Sequence, residues 1–182
     1  MTKPNVSIID YGIGNLFSVL KACEFVGLYP KITNNKNEIL SSDAIILPGV
    51  GAFSNAMNNL NALDLCKPIV DFSDSGKPLM GVCLGMQLLL DESEELGVSK
   101  GLGVIGGVCK KFANKNKSYS VKVPQINWNT IHPPRGELKF KKDTPLENVR
   151  GGEDMYFVHS YYAKLTNKHE ILSKTYYAGE DY

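Results

Sequence analysis

The 182 residues contain only three histidines and four cysteines, and neither type is clustered. Without ligand pairs at short spacing the sequence offers no metal site. Cys23, Cys66, Cys83 and Cys109 form no Cys-x-x-Cys pair and lack the dense spacing of a secreted disulfide scaffold, so reduced thiols in a cytoplasm are expected. Net charge is also lacking. Twenty Lys and Arg against nineteen Asp and Glu leave +1, which gives no general attraction to nucleic acid or to an anionic membrane. Lys110, Lys111, Lys115, Lys117 and Lys122 do gather in one stretch, but Asn and Ser interrupt them and no aromatic platform accompanies them. A solvated loop is expected there. No apolar run approaches the ~20 residues of a membrane span, and Met1-Thr2-Lys3-Pro4-Asn5 leads straight into an apolar strand without a signal-peptide core. The expectation is a soluble, cytoplasmic protein. Gly12-Ile13-Gly14 is followed directly by Asn15 and Leu16, so the third glycine of a dinucleotide fingerprint is missing and no nucleotide cofactor is expected.

What is present is a hydrophobic content of 43%, suited to a single domain with a substantial core. Residues 6–9 read as a short buried strand, 10–14 as a glycine-bearing loop, and 15–25 as a helix stopped by Gly27. Residues 29–32 and 44–47 give two more strands, the latter wholly apolar, as in a strand buried on both faces. A helix fits 63–75, ended by Gly76, and a strand fits 79–82. This alternation predicts an α/β fold with a mostly parallel sheet flanked by helices. Beyond Gly101 the pattern changes to short β-rich runs at 104–108, 121–123, 155–158 and 171–175, an additional β-rich C-terminal half of the same domain. In such sheets, sites form outside the carboxyl ends of the strands.

Gly81-Val82-Cys83-Leu84-Gly85 sits where the strand at 79–82 meets a helix-like run at 86–90. This is the pattern of a nucleophile elbow. The tight strand-to-helix turn brings backbone close on both sides, so small residues are needed two positions before and after the nucleophile. A helix amino end beside the sulfur favours thiolate over thiol. The bland reading of Cys83 is a buried, inert small hydrophobe. A thiolate attacking a carbonyl creates an oxyanion that needs preorganised N–H donors. Leu84 supplies one, and Val50 or Gly51 in Pro48-Gly49-Val50-Gly51 could supply a second, unless that segment is merely a strand-ending turn.

Tyr11-Gly12-Ile13-Gly14-Asn15, Pro48-Gly49-Val50-Gly51-Ala52-Phe53, Gly81-Val82-Cys83-Leu84-Gly85-Met86-Gln87, Ser93-Glu94-Glu95 and Tyr156-Phe157-Val158-His159-Ser160-Tyr161-Tyr162 together resemble the class I glutamine amidotransferases, in family order from residue 6 to about 177. The resemblance implies a flavodoxin-like architecture and hydrolysis of L-glutamine through a thioester at Cys83. Ammonia would pass to a synthase (cyclase) subunit, the heterodimer partner, which closes an imidazole ring in histidine biosynthesis. The resemblance also assigns Gly49, Gln87 and Glu95 to glutamine binding, with Ser160 and Tyr161 lining the pocket through backbone. Read alone, Gln87 lies one helical turn after Cys83 and can face the same mouth. Glu95 read alone is a solvated acidic helix end beside Asp91, Glu92 and Glu94.

The chain departs from the family in two places. The family completes its triad with a His-Pro-Glu motif after a segment like 175–182, and this sequence is expected to end before it. None of His132, His159 and His169 is followed by Pro-Glu, and His159, on a β-rich apolar run, reads as structural. A nucleophile without a general base loses about two to four orders of magnitude, so a catalytically silent, partner-binding subunit is a second expectation. The other departure is Val123-Pro124-Gln125-Ile126-Asn127-Trp128-Asn129, where the family usually has His and Gly in place of Gln125 and Asn127. This segment reads as a loop facing the partner. Amidotransferases of surface-polysaccharide pathways, which turn a sugar carboxamide into an amidine, resemble this group as well.

Overall fold

A computed structural model describes residues 3–113, 121–134 and 137–182. Its amino-terminal part runs β1 (Asn5–Ile9), α1 (Leu16–Phe25), β2 (Tyr29–Thr33), α2 (Lys36–Ser41), β3 (Ala44–Gly49), α3 (Phe53–Ala62), α4 (Cys66–Asp74), β4 (Leu79–Cys83), α5 (Leu84–Leu88), β5 (Leu90–Ser93) and β6 (Ser99–Lys100). β2, β1, β3 and β4 form, in that order, a parallel sheet in which Ile8 lies opposite both Ile32 and Ile46. Side chains alternate across it. Val6, Ile8 and Ile46 pack with Cys23 and the α1 residues Leu16, Val19 and Leu20. Ile9, Ile45 and Leu47 pack on the other face against Ile39, Phe53, Leu60, Ile69, Phe72 and Leu88 of the remaining helices. Cover on both faces is why these strands read as unbroken apolar runs. The α/β architecture expected from the alternation is therefore present.

Gly27, at φ 84°, ends α1 as expected. The N–H groups of Gly27 and Leu28 donate to the carbonyls of Glu24 and Cys23, each at 3.0 Å, closing the helix with the paired bonds of a Schellman motif. Two helices escaped the sequence reading. α3 is rich in Asn, a weak helix former, yet Phe53, Ala56, Met57 and Leu60 make a buried stripe at helical spacing. α2 is only six residues long, held at its start by Asn35, whose side chain accepts from the N–H groups of Asn37 and Glu38. The expected helix over 63–75 begins only at Cys66.

The helix expected after Cys83 covers Leu84–Leu88 and gives way to β5. The cause lies elsewhere in the chain: the N–H groups of Leu102, Gly103 and Val104 donate to the carbonyls of Leu88, Leu90 and Leu89 at 2.8, 3.1 and 2.9 Å. Those carbonyls point toward residues 102–104, so the chain leaves the helix.

Contacts divide the chain into one unit at Met1–Ile105 and a second at Gly106–Tyr182. The second holds β7 (Ile105–Lys111), β8 (Gln125–Thr130), β9 (Asp154–His159), β10 (Tyr161–Leu165), β11 (Tyr176–Tyr177) and β12 (Glu180–Asp181). β7 pairs with β10, β8 with β9 and β11 with β12, all antiparallel. Phe112, Tyr162 and Ala178 form its core, with Val121, Val123, Tyr177 and Tyr182 packed against them.

The runs at 104–108 and 155–158 are strands as expected. Those at 121–123 and 171–175 are not: Val121 and Val123 serve the aromatic core, and Lys174 makes only an isolated bridge to His132. The segment read as a loop at 123–129 is mostly β8, and β10 was not foreseen. In the lysine stretch read as a loop, Lys110 and Lys111 lie on β7, while Lys115 and Lys117 fall outside the described residues.

Candidate active site

Cys83 ends β4 and caps α5 at φ 55° and ψ −117°, a left-handed conformation rare outside glycine. Of the four free cysteines, Cys23 and Cys109 are buried, Cys66 is half-buried, and Cys83 is exposed. The inert, buried reading does not describe Cys83. The flanking glycines are required by backbone packing. A Cβ on Gly85 would lie 1.8 Å from the Leu47 carbonyl oxygen, and one on Gly81 would lie 2.4 Å from Met86 Cα. α5 thus starts directly against the end of β3, whose Gly49 lies opposite Cys83 in the sheet.

The Pro48–Gly51 segment is held to the same sheet edge by Tyr11, a residue the sequence reading used only as part of a motif. Its hydroxyl donates to the Pro48 carbonyl at 2.6 Å, and Asn59 Nδ2 donates to the Tyr11 carbonyl at 3.0 Å. A Cβ on Gly49 would lie 2.6 Å from that hydroxyl. Burial, and secondarily the negative charge of the Cys83 thiolate, push the Tyr11 phenol up to about 12. The only sequence signal for this role was a tyrosine at an inward position just past β1.

Val50 is exposed, and Gly51, at φ 91°, takes the conformation that lets its peptide plane turn. Leu84 is the first residue of α5, where N–H groups have no partner within the helix. Gln87 lies on α5 and is half-buried. These groups and Cys83 share the edge formed by the carboxyl ends of β3 and β4.

Glu95 is not at a helix end. It follows β5 in a turn, its own N–H donates to the buried Ser93 Oγ at 3.2 Å, and its Oε2 accepts the Phe53 N–H at 2.6 Å. α3 has no side-chain cap from Ala52, so Glu95 supplies the anionic cap from a distant part of the chain.

Ser160 and Tyr161 lie in the second unit, where β9 passes into β10. The Ser160 carbonyl accepts the Phe112 N–H at 3.1 Å. His159 has both ring nitrogens engaged: Nδ1 lies 2.8 Å from the Tyr161 carbonyl oxygen and Nε2 lies 3.1 Å from Tyr182 Oη. Burial pulls its pKa below the ordinary value, against a smaller upward pull from the Tyr161 carbonyl. β8 and β9 present an apolar outer face. Ile126 opposite Val158 and Trp128 opposite Tyr156 are 52%, 53%, 67% and 54% exposed. Among the described residues no group of three or more His, Cys, Asp or Glu could hold a metal, and no helix is long and apolar enough to cross a membrane.

The family model for class I glutamine amidotransferases matches residues 7–180. Proteins named imidazole glycerol phosphate synthase subunit HisH are similar over most of this chain. The one from Listeria innocua is 44% identical over 171 residues, covering 94% of this chain and 77% of that protein. The one from Chlorobium chlorochromatii is 42% identical over 178 residues, covering 97% and 83%. A solved glutamine amidotransferase superposes with a TM-score of 0.67 at 15% identity, covering 93% of this chain and 79% of its own. The PurLQS structure from Thermotoga maritima gives a TM-score of 0.61 at 19% identity, covering 96% and 75%. At those identities the two structures speak for the fold.

Replacing Gly85 by Ala forces a methyl into the Leu47 carbonyl and is expected to cost about 3 kcal/mol, lowering the melting midpoint by roughly 6–12 °C. A loss below about 1 kcal/mol in chemical denaturation would contradict this packing. Tyr11→Phe leaves the buried Pro48 carbonyl unpaired and should cost about 1–3 kcal/mol at neutral pH. The Tyr11 pKa is higher folded than unfolded, so its contribution is complete below the ordinary value near 10 and is lost as pH rises toward about 12. Denaturation of wild type and Tyr11→Phe should therefore converge over that alkaline window, and parallel curves would refute the assignment.

Proposed function

The chain belongs to the class I glutamine amidotransferases, and from that premise we propose that it is the glutaminase subunit of an imidazole glycerol phosphate synthase, supplying ammonia to a cyclase subunit bound as a heterodimer. The observation that carries this reading is the exposed Cys83 at the tip of a close-packed elbow, beside a glycine turn. Cys83 Sγ attacks the carboxamide carbon of glutamine, and the carbonyl oxygen becomes an oxyanion. The Leu84 N–H, with that of Val50 or Gly51, receives it, each donor contributing about 3 kcal/mol. Collapse expels ammonia, the nitrogen taking as it leaves the proton that the Cys83 thiol gave up, and forms a glutamyl thioester. Water then cleaves that thioester to glutamate and returns the thiol. On this reading Gly49, Gln87 and Glu95 hold the substrate. For Glu95 the reading has support in its place: its carboxylate is anchored at the start of α3, next to the Pro48–Gly51 turn. The family match spans both units, which supports reading them as one amidotransferase domain.

The partner reading draws on the names of the relatives and on the outer face of β8 and β9. Four large apolar side chains in two cross-strand pairs are left in solvent there, and Trp128 and Tyr156 have ring centroids 5.6 Å apart. Aromatic anchors of this kind dominate interface energetics.

One assay tests this reading: glutamine-dependent ammonia release by this chain with a cyclase subunit. Turnover that disappears in Cys83→Ala supports the glutaminase, and turnover that persists in that variant overturns it. Trp128→Ala should weaken association by roughly 30-fold, as expected for an interface anchor, and unchanged binding in a titration would remove the hairpin from the interface.

A further inference from the structure

A groove of about 410 Å³ lies between α3, α4 and residues 100–102, and every residue lining it belongs to the first unit. None of them takes part in the glutaminase mechanism. The volume falls within the roughly 300–1,000 Å³ of small-molecule sites, which combine apolar walls with a few polar groups that orient the ligand. Here the apolar wall is Met57, Val70 and Leu102. Met57 is part of the main core and Leu102 packs against it.

The polar groups of the lining sort into donors and acceptors. Lys67 Nζ donates to both oxygens of Asp71, at 2.7 and 2.8 Å, and Cys66 Sγ donates to Asn61 Oδ1 at 3.3 Å. Burial raises the Cys66 pKa, so the thiol keeps its proton and stays a donor. The carboxylate and the amide oxygen are therefore engaged. What the lining still offers is the Asn61 Nδ2 hydrogens and the Lys100 ammonium. Glu92 stands opposite Lys100 in the β5–β6 pair, yet no ion pair joins them among the described residues. Lys67 and Asp71 cancel, which leaves one net positive charge and a surplus of donors beside an apolar wall. An anionic, acceptor-rich head on a short hydrocarbon body complements that lining.

We propose that this groove is a ligand site for a small aliphatic carboxylate, its head toward Lys100 and Asn61 and its hydrocarbon on Met57, Val70 and Leu102. The place of the groove ties it to both helices of the candidate active site. α3 begins at Phe53, whose N–H donates to Glu95, and its Asn59 donates to the Tyr11 carbonyl, while its Met57 and Asn61 line the groove. α5 begins beside Cys83 and ends at Leu88, whose carbonyl accepts the Leu102 N–H at 2.8 Å. Gly101 permits that approach, since a Cβ there would lie 2.1 Å from the Leu90 carbonyl oxygen. A bound carboxylate thus braces the far parts of the two helices whose near ends hold the Pro48–Gly51 turn and Cys83.

The test titrates hexanoate, and hexylamine as its cationic counterpart, into the 15N-labelled 182-residue chain. With hexanoate the amide shifts of Cys66, Lys67, Gly101 and Leu102 should saturate, at a half-saturating concentration on the order of 1 mM for so small a ligand. Hexylamine should leave them in place. Lys100→Gln and Asn61→Asp change exposed side chains, so the melting midpoint without ligand should match wild type. Each should raise the half-saturating concentration about fivefold, the upper end for an exposed charge pair. At ten times that concentration, hydrogen exchange of the Phe53 amide and of the α5 amides should slow about tenfold, the factor by which ligand disfavours any opening that releases it.

Absence of saturable shifts at those four amides overturns the site. Equal binding of hexylamine, or of hexanoate by both variants, overturns the assignment to a carboxylate. Saturation with unchanged exchange at Phe53 and along α5 overturns the brace. None of these readouts uses the chemistry of Cys83, so the result is independent of whether the chain turns glutamine over.

Discussion

The contact on which the candidate site depends is the approach of α5 to the end of β3, where the Gly85 backbone sits so close to the Leu47 carbonyl that even a methyl group has no room. Strand β4 must therefore turn within one residue, and Cys83 takes the left-handed conformation of the turn. Such strain persists only where the surroundings over-determine it. Here they do, since Gly81 is pressed against Met86 as Gly85 is against Leu47. Exposure of the sulfur follows from the turn itself.

Around this fixed point, polar groups from distant parts of the chain converge on one short loop. Tyr11 reaches from the end of β1 to the Pro48 carbonyl, and Glu95 reaches from the turn after β5 to the Phe53 N–H. The loop between them carries Val50 and Gly51, the two candidate oxyanion donors. Its two ends are thus tied by buried or half-buried hydrogen bonds, while Gly51 keeps the freedom to turn its peptide plane. A preorganised donor is worth most when it does not reorganise during reaction. Tyr11 and Glu95 supply that rigidity on either side of the turn.

Much of this was legible in the sequence where the signal was local. Gly27 ended α1 as its type and place implied, the apolar run at 44–47 was a strand covered on both faces, and two glycines flanking Cys83 announced a tight turn. Where several weak signals competed, the reading went astray. Asn-rich α3 is helical because Phe53, Ala56, Met57 and Leu60 are buried, and burial outweighs propensity. Val121 and Val123 have strand-like composition but pack on an aromatic core without a ladder partner. Residues 125–130 look polar and irregular, yet they pair along their whole length with β9.

The sequence by itself determined the parallel sheet, the elbow and the identity of the nucleophile candidate, because each depends on the size and periodicity of neighbouring residues. The tertiary structure decided what distant residues do for one another. Glu95, read alone as a solvated acid, caps a helix. Tyr11, read only as one residue of a motif, clamps the turn beside Cys83. His159 was read as structural, and its chain of bonds through Tyr182 to Gln125 could not be seen along the sequence. The physical reason is common to all three: a hydrogen bond has no periodicity along the chain, and its partner is known only once folding has brought the two groups within reach.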